Sequence, residues 1–140
     1  MPGVVAVILE SRVFEILARC VLTFVFWSSG IAKLVEFDAS AAAMEGFGLQ
    51  PGWAVNALTL ILQIVASLMI IFDRGTWVAT GALAIFTLLT IPIAHPFWSK
   101  DGEEAFRDLT VALEHLSLVG GLAMVAILSR RGRGRCPRCP

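Results

Sequence analysis

Apolar residues run along this chain in long blocks at about 13–33, 53–72, 76–95 and 108–128, separated by polar or Pro/Gly-containing stretches. Each block is close to the roughly 20 residues that carry an α-helix across a bilayer. The polar and small residues within them recur at steps of three and four, the spacing of one helix face. The first block carries Arg19, Thr23, Phe26, Gly30 and Lys33, and the second Asn56, Thr59, Gln63 and Ser67. The third carries Thr80, Ala84 and Thr87 with His95 further along, and the fourth Arg107, Thr110, Glu114, Ser117 and Gly121. Lipid offers no hydrogen-bond partner, so all of these stripes are expected to face other helices. The pattern predicts an all-α fold, an integral membrane four-helix bundle with a polar interior.

The connecting stretches refine this picture. Residues 34–52 are too long for a tight turn; Asp38 as an N-cap and Gly46 as a stop predict a short surface helix that ends at Gln50-Pro51-Gly52. Pro92 and Pro96 flank His95 and predict a kink near the end of the third span. The apolar patch VVAVIL at 4–9 has no basic residue before it and no small-residue cleavage site after it, so it reads as part of the chain and not as a removable signal. Glu10, Arg12, Glu15 and Arg19 follow at helical spacing, with Glu15 and Arg19 placed to pair.

Composition agrees with a membrane chain and excludes an ordinary soluble one: 57% of residues are hydrophobic, 16% are charged, and mean hydropathy is +0.80. The net charge of zero hides an asymmetry, because Arg130, Arg131, Arg133, Arg135 and Arg138 crowd the last residues. Basic residues stay on the cytoplasmic side, so the C-terminus is expected there and, with an even number of spans, the N-terminus too. The expected organisation is one domain over 1–129 and a basic cytoplasmic tail over 130–140, in the cell's inner membrane as a multi-pass protein. That tail contains Cys136-Pro137-Arg138-Cys139, which supplies half the ligands a structural zinc needs. It reads first as a solvated segment holding anionic lipid, with a zinc site shared with another chain as the alternative.

Depth selects the candidate chemistry. Lys33, Asn56 and His95 fall at the outer ends of their spans, and Glu114 lies about 10 Å below the outer end of the fourth at 1.5 Å per residue. Glu114 and His95 are therefore the expected catalytic groups, able to exchange protons. Lys33, Asn56, Gln63, His95 and Trp98 are the expected cofactor-binding residues, with no metal. His115 belongs to a different row with Asp108, Val111, Ala112, Val119 and Leu122, which is mostly apolar, and is expected on a flank. A haem or metal held by His95 and His115 is the weaker reading of the two histidines.

The chain resembles the DoxX-like family of small four-helix membrane proteins over roughly residues 16–128. The resemblance rests on RCVLTFVFWSSGIAKL, on LQIVASLMIIFDRGTWVATGALAIF, on His95 before Phe97-Trp98, and on LSLVGGLAM. Where the family commonly shows a Glu near the middle of the second span, this chain has Gln63. The resemblance implies quinone-linked oxidation of sulfur compounds, as in the membrane subunits of thiosulfate:quinone oxidoreductase, or membership of a complex that handles thiol or oxidative stress. The expectation is thus a redox membrane subunit with quinone as cofactor. The alternative is a non-catalytic accessory or assembly subunit of a larger membrane complex. Expected partners are the lipid bilayer and such a complex or a second copy, with no nucleic acid.

Overall fold

The computed structural model describes the backbone over residues 3–133 and side chains as far as Arg131. The expectations for Cys136 and Cys139 lie outside the described residues. The described residues are nearly all helical: α1 (Gly3–Glu10), α2 (Arg12–Leu22), α3 (Phe24–Val35), α4 (Phe37–Gly46), α5 (Gly52–Ile71), α6 (Thr76–Ala94), a 3-10 turn (Phe97–Ser99) and α7 (Gly102–Arg133). Among the described residues, α5, α6 and α7 are long and apolar enough to cross a bilayer. The first apolar block is not one rod. It forms α2 and α3, bent by 54° at Thr23, and makes a further crossing only if the bent pair spans together.

The break falls at Thr23. Its side chain is fully buried, and its hydroxyl donates to the Arg19 carbonyl at 2.8 Å, the carbonyl that its own backbone N–H also uses. The same backward bond from Ser67, Thr80 and Thr87 leaves α5 and α6 unbroken, so it marks the bend without accounting for it. Beyond the bend the backbone of α3 packs against α5 and α4 but reaches neither α6 nor α7 among the described residues, whereas α2 touches α5 and α7. A Cβ on Gly121 would lie 2.9 Å from Leu22 Cδ1, which shows how closely α2 and α7 cross. Phe26, Ala66, Ile70, Ala79, Leu83 and Leu122 form the core at this crossing. Outward-facing Val, Leu, Ile and Phe residues cover every helix but α4, as a lipid-facing surface requires.

Polar clusters mark the two ends of the bundle. At one, Arg19 is 7% exposed and donates to the Ile70 carbonyl at 2.7 Å, to Asp73 at 3.0 Å and to Glu15 at 2.7 Å. Asp73, in the α5–α6 turn with φ of 53°, also accepts from Thr76 at 2.6 Å and from Ser129 of α7. Burial pushes the Asp73 carboxyl up, but the hydrogen bonds from Ser129, Thr76 and Arg19 and the guanidinium charge outweigh it and hold the pKa at about 2. At the other end Asp108 of α7 pairs with Lys100 at 2.6 Å. From Asp108 to Ser129 along α7 is about 31 Å at 1.5 Å per residue, matching the roughly 30 Å of hydrocarbon between two headgroup layers.

The expected surface helix is α4, two residues longer at its start than the Asp38 cap predicts. It lies on α5, and Gly52 is what lets it approach: a Cβ there would overlap the Ala41 carbonyl oxygen. Pro92 is accommodated inside α6, and His95 caps that helix with its N–H on the Ile91 carbonyl at 3.0 Å.

Candidate functional site

The bend in α3 leaves a space. Going round the bundle, α3 packs on α5, α5 on α6 and α6 on α7, but beyond the Leu22–Gly121 crossing the backbones of α7 and α3 do not close on each other, although Phe26 shares the core with Leu122. A cavity of about 450 Å³ fills that gap, roofed by Met44, Phe47 and Leu49 from α4 and the segment after it. Most of the lining is apolar, from Val25, Phe26, Val55, Phe86, Leu89, Ile93 and Leu118.

The polar groups in this lining stand on two walls. On the α3–α5 wall, Lys33 Nζ donates to Ser29 Oγ at 2.6 Å, and Gln63 Nε2 donates to the same oxygen at 3.5 Å. Gln63 is 4% exposed, and its Oε1 has no hydrogen-bond partner. A buried amide oxygen left unpaired costs on the order of 1–3 kcal/mol, so this acceptor on the cavity wall is the strongest sign of a ligand site. On the α6–α7 wall stand His95 and His115, rings edge to face with centroids 5.6 Å apart, together with Thr87 and Thr90. The threonine hydroxyls are turned to backbone carbonyls of their own helix.

Each imidazole is anchored through Nδ1. His115 Nδ1 lies 2.8 Å from the Val111 carbonyl, and His95 Nδ1 lies 3.4 Å from Asp108 Oδ1. A carbonyl and a carboxylate only accept, so both Nδ1 atoms carry hydrogen and both Nε2 atoms remain for a ligand. Asp108, 4% exposed, is held between His95 and Lys100. This carboxylate behind an imidazole fixes the ring's tautomer and orientation and steadies the imidazolium formed when Nε2 takes a proton, the geometry of a general base.

Of the residues expected from the sequence, Lys33, Gln63 and His95 line the cavity. Asn56 is fully buried beside it, and its amide donates to the carbonyls of Lys33 at 3.5 Å and Phe37 at 3.3 Å, so it ties the end of α3 and the start of α4 to α5. Trp98 is 61% exposed, stacks edge-on against Phe97, and is not part of the lining. The expectation for α7 needs correction. Arg107, Thr110, Glu114 and Ser117 are exposed on its outer surface, in contact with neither Lys33 nor Asn56, and Gly121 alone of that stripe touches another helix. The row taken for a flank, Asp108, Ala112, His115 and Leu122, is the one that faces the bundle.

Sequence reasoning missed Asp108, His115, Ser29 and Lys100 as parts of the site. The missed signal was periodic: Asp108, Ala112, His115, Val119 and Leu122 recur at steps of four and three as regularly as the stripe preferred to them. Small and apolar residues mark the packed face of this helix, and two ionisable groups on such a face are the ones that need partners inside.

Comparison with known proteins gives consistent results. The family model described as DoxX matches residues 14–96. The inner membrane protein YphA of Escherichia coli (strain K12) is 21% identical over 115 residues, 82% of this chain and 82% of YphA. No solved structure matches.

Proposed function

Because the chain belongs to the DoxX family and is a multi-pass protein of the inner membrane, we propose that it is the membrane subunit of a quinone-linked redox system, one that oxidises thiols or other sulfur compounds. The observation that carries this reading is the cavity between the helices with Gln63, whose buried Oε1 is unpaired, on one wall and the anchored His95 and His115 on the other. A flat ring with a hydroxyl at each end, the reduced quinol, donates to an acceptor on each wall at once, Gln63 Oε1 on one and His95 Nε2 on the other. The volume of about 450 Å³ lies within the range of small-molecule sites.

A quinone supplies, when bound, a two-electron and two-proton acceptor. The chain's own contribution is to bind, orient and manage protons. Ser29 and Gln63 hold one ring oxygen, with Lys33 behind Ser29 as a charged donor. His95 Nε2 meets the other oxygen as a proton donor or acceptor, and Asp108 keeps its Nδ1–H in place. Lys100 neutralises Asp108 and links the pair to the polar end of the bundle. The proton role expected of Glu114 passes in this reading to the His95–Asp108 pair, because Glu114 is outside the cavity.

The test is calorimetric titration of a short-tailed benzoquinol, kept reduced, into the protein in lipid nanodiscs. Gln63→Leu and His95→Ala are each expected to weaken binding about tenfold, or roughly 1.4 kcal/mol, the size of one lost hydrogen bond. Equal affinity in both variants and the parent would remove the assignment.

A further inference from the structure

The outward face of α7 poses a problem that the cavity does not solve. Among the described residues α7 is the least covered of the long helices, with 11% of its apolar window buried against 28% for α5 and 22% for α6. Yet its bare side is not uniformly apolar. Thr110, Glu114 and Ser117 are exposed there. Glu114 is six residues past Asp108, about 9 Å deeper at 1.5 Å per residue, and so well inside the hydrocarbon defined by the two polar ends. A carboxyl group facing lipid at that depth is strongly disfavoured and calls for a covering partner.

We propose that this face is a homodimer interface, on which α7 of a second copy of the chain packs in parallel. Two copies in one membrane share an orientation, so a twofold axis along the membrane normal brings equal residues together at equal depth. The face suits its own twin. Thr110 and Ser117 spend their hydroxyl hydrogens on the carbonyls of Phe106 at 2.9 Å and Leu113 at 3.0 Å, leaving oxygen lone pairs that accept from the twin's Glu114 carboxyl. Gly120 is exposed on the same side, and a Cβ there would meet nothing within 4 Å, so the backbone is open to close approach. Small residues with hydroxyls around one acidic group are the means by which membrane helices associate without a hydrophobic driving force. The neighbouring Phe106, Leu113 and Met124 add apolar contact around this polar centre.

The experiment uses the full chain with Cys20, Cys136 and Cys139 changed to Ser, expressed in its own membrane. Under mild oxidation Thr110→Cys and Ser117→Cys are expected to give a disulfide-linked dimer, and Ala112→Cys on the buried face is expected to give none. Native mass measurement in nanodiscs reads the same equilibrium without crosslinks. There Gly120→Leu, which intrudes on no part of its own chain, is expected to weaken dimerisation at least about tenfold, the effect of losing close backbone approach. A monomeric parent in nanodiscs together with no crosslink at 110 or 117 overturns the proposal. So does a crosslink at those positions to a different protein. Quinone binding is measured separately, so failure of the cavity assignment leaves this result standing.

Discussion

Asp73 is where α2, α5, α6 and α7 are fastened together, and Asp73→Asn tests how much that fastening is worth. Asn keeps the size, the tolerance of the positive φ of 53° and one acceptor oxygen, and removes only the charge and the second acceptor. Arg19 retains the Ile70 carbonyl and Glu15, so it is not left bare. A charged hydrogen bond is worth about 1.5–3 kcal/mol. The lowering of the Asp73 pKa from 3.8 to about 2 bounds the charge effect independently at about 2.4 kcal/mol by linkage. The side chain is 32% exposed, so solvent screening brings the expected loss to about 1–2 kcal/mol. The assay is unfolding in mixed dodecyl maltoside and sodium dodecyl sulfate micelles, followed by circular dichroism. The sign is definite: a folded-state pKa below the unfolded value contributes stability above pH 3.8 and loses it as pH falls through about 2. The parent should therefore approach the Asn variant as pH drops from 4 towards 2. A difference below about 0.5 kcal/mol at pH 7, or one equally large at pH 7 and pH 2, would refute the reasoning.

Other substitutions test the roof and its tether. Gly52→Ala forces a methyl group against the Ala41 backbone carbonyl, which cannot move aside as a side chain can, so α4 should lift from α5 at a cost of about 1–3 kcal/mol. Hydrogen exchange across residues 37–49 should rise, and unchanged exchange would show that α4 is held by something else. Asn56→Ala removes the amide donors to the Lys33 and Phe37 carbonyls and leaves a small void, costing about 2 kcal/mol in the same micelle assay. A loss under about 0.5 kcal/mol would mean that these bonds, 3.3 and 3.5 Å long, do not hold the α3–α4 corner.

The helical segments and most of their inward faces were legible because lipid makes the pattern strict. The expected spans 53–72 and 76–95 differ from α5 and α6 by a residue at their ends, and the stripes Arg19–Thr23–Phe26–Gly30 and Asn56–Gln63–Ser67 are buried as expected. The break in the first block was not legible. Phe24, Val25 and Phe26 continue the apolar run without a Pro or Gly, and the backward bond of Thr23 has counterparts at Ser67, Thr80 and Thr87 in helices that stay unbroken. The cavity escaped for the same reason, since it exists only because α3 leans away beyond that bend. Nor was the Asp108–Lys100 pair visible, because the 3-10 turn that carries Lys100 back towards α7 has no periodicity to read.

The error over α7 is the most informative part of the comparison. The rule that polar stripes face inward held for α2, α3 and α5, where Arg19, Thr23, Asn56 and Ser67 bond within the chain, and failed for α7. A membrane helix with two regular faces, one of Asp108, Ala112, His115 and Leu122 and one of Arg107, Thr110, Glu114 and Ser117, can bury only one of them in a single bundle. The side chosen is the one whose ionisable groups meet complementary ones: Asp108 finds Lys100 and His95, and His115 finds the Val111 carbonyl beside His95. Glu114 has no cation of its own bundle at its depth, since Lys33 is already turned to Ser29. Physical chemistry therefore assigns the adjacent residues Glu114 and His115 to different neighbours, about 100° apart on one helix. His115 looks into the cavity, and Glu114 looks to whatever stands beside the bundle. In a membrane chain this short, a second regular polar face on a spanning helix is better read as a contact with another helix than as a misplaced interior.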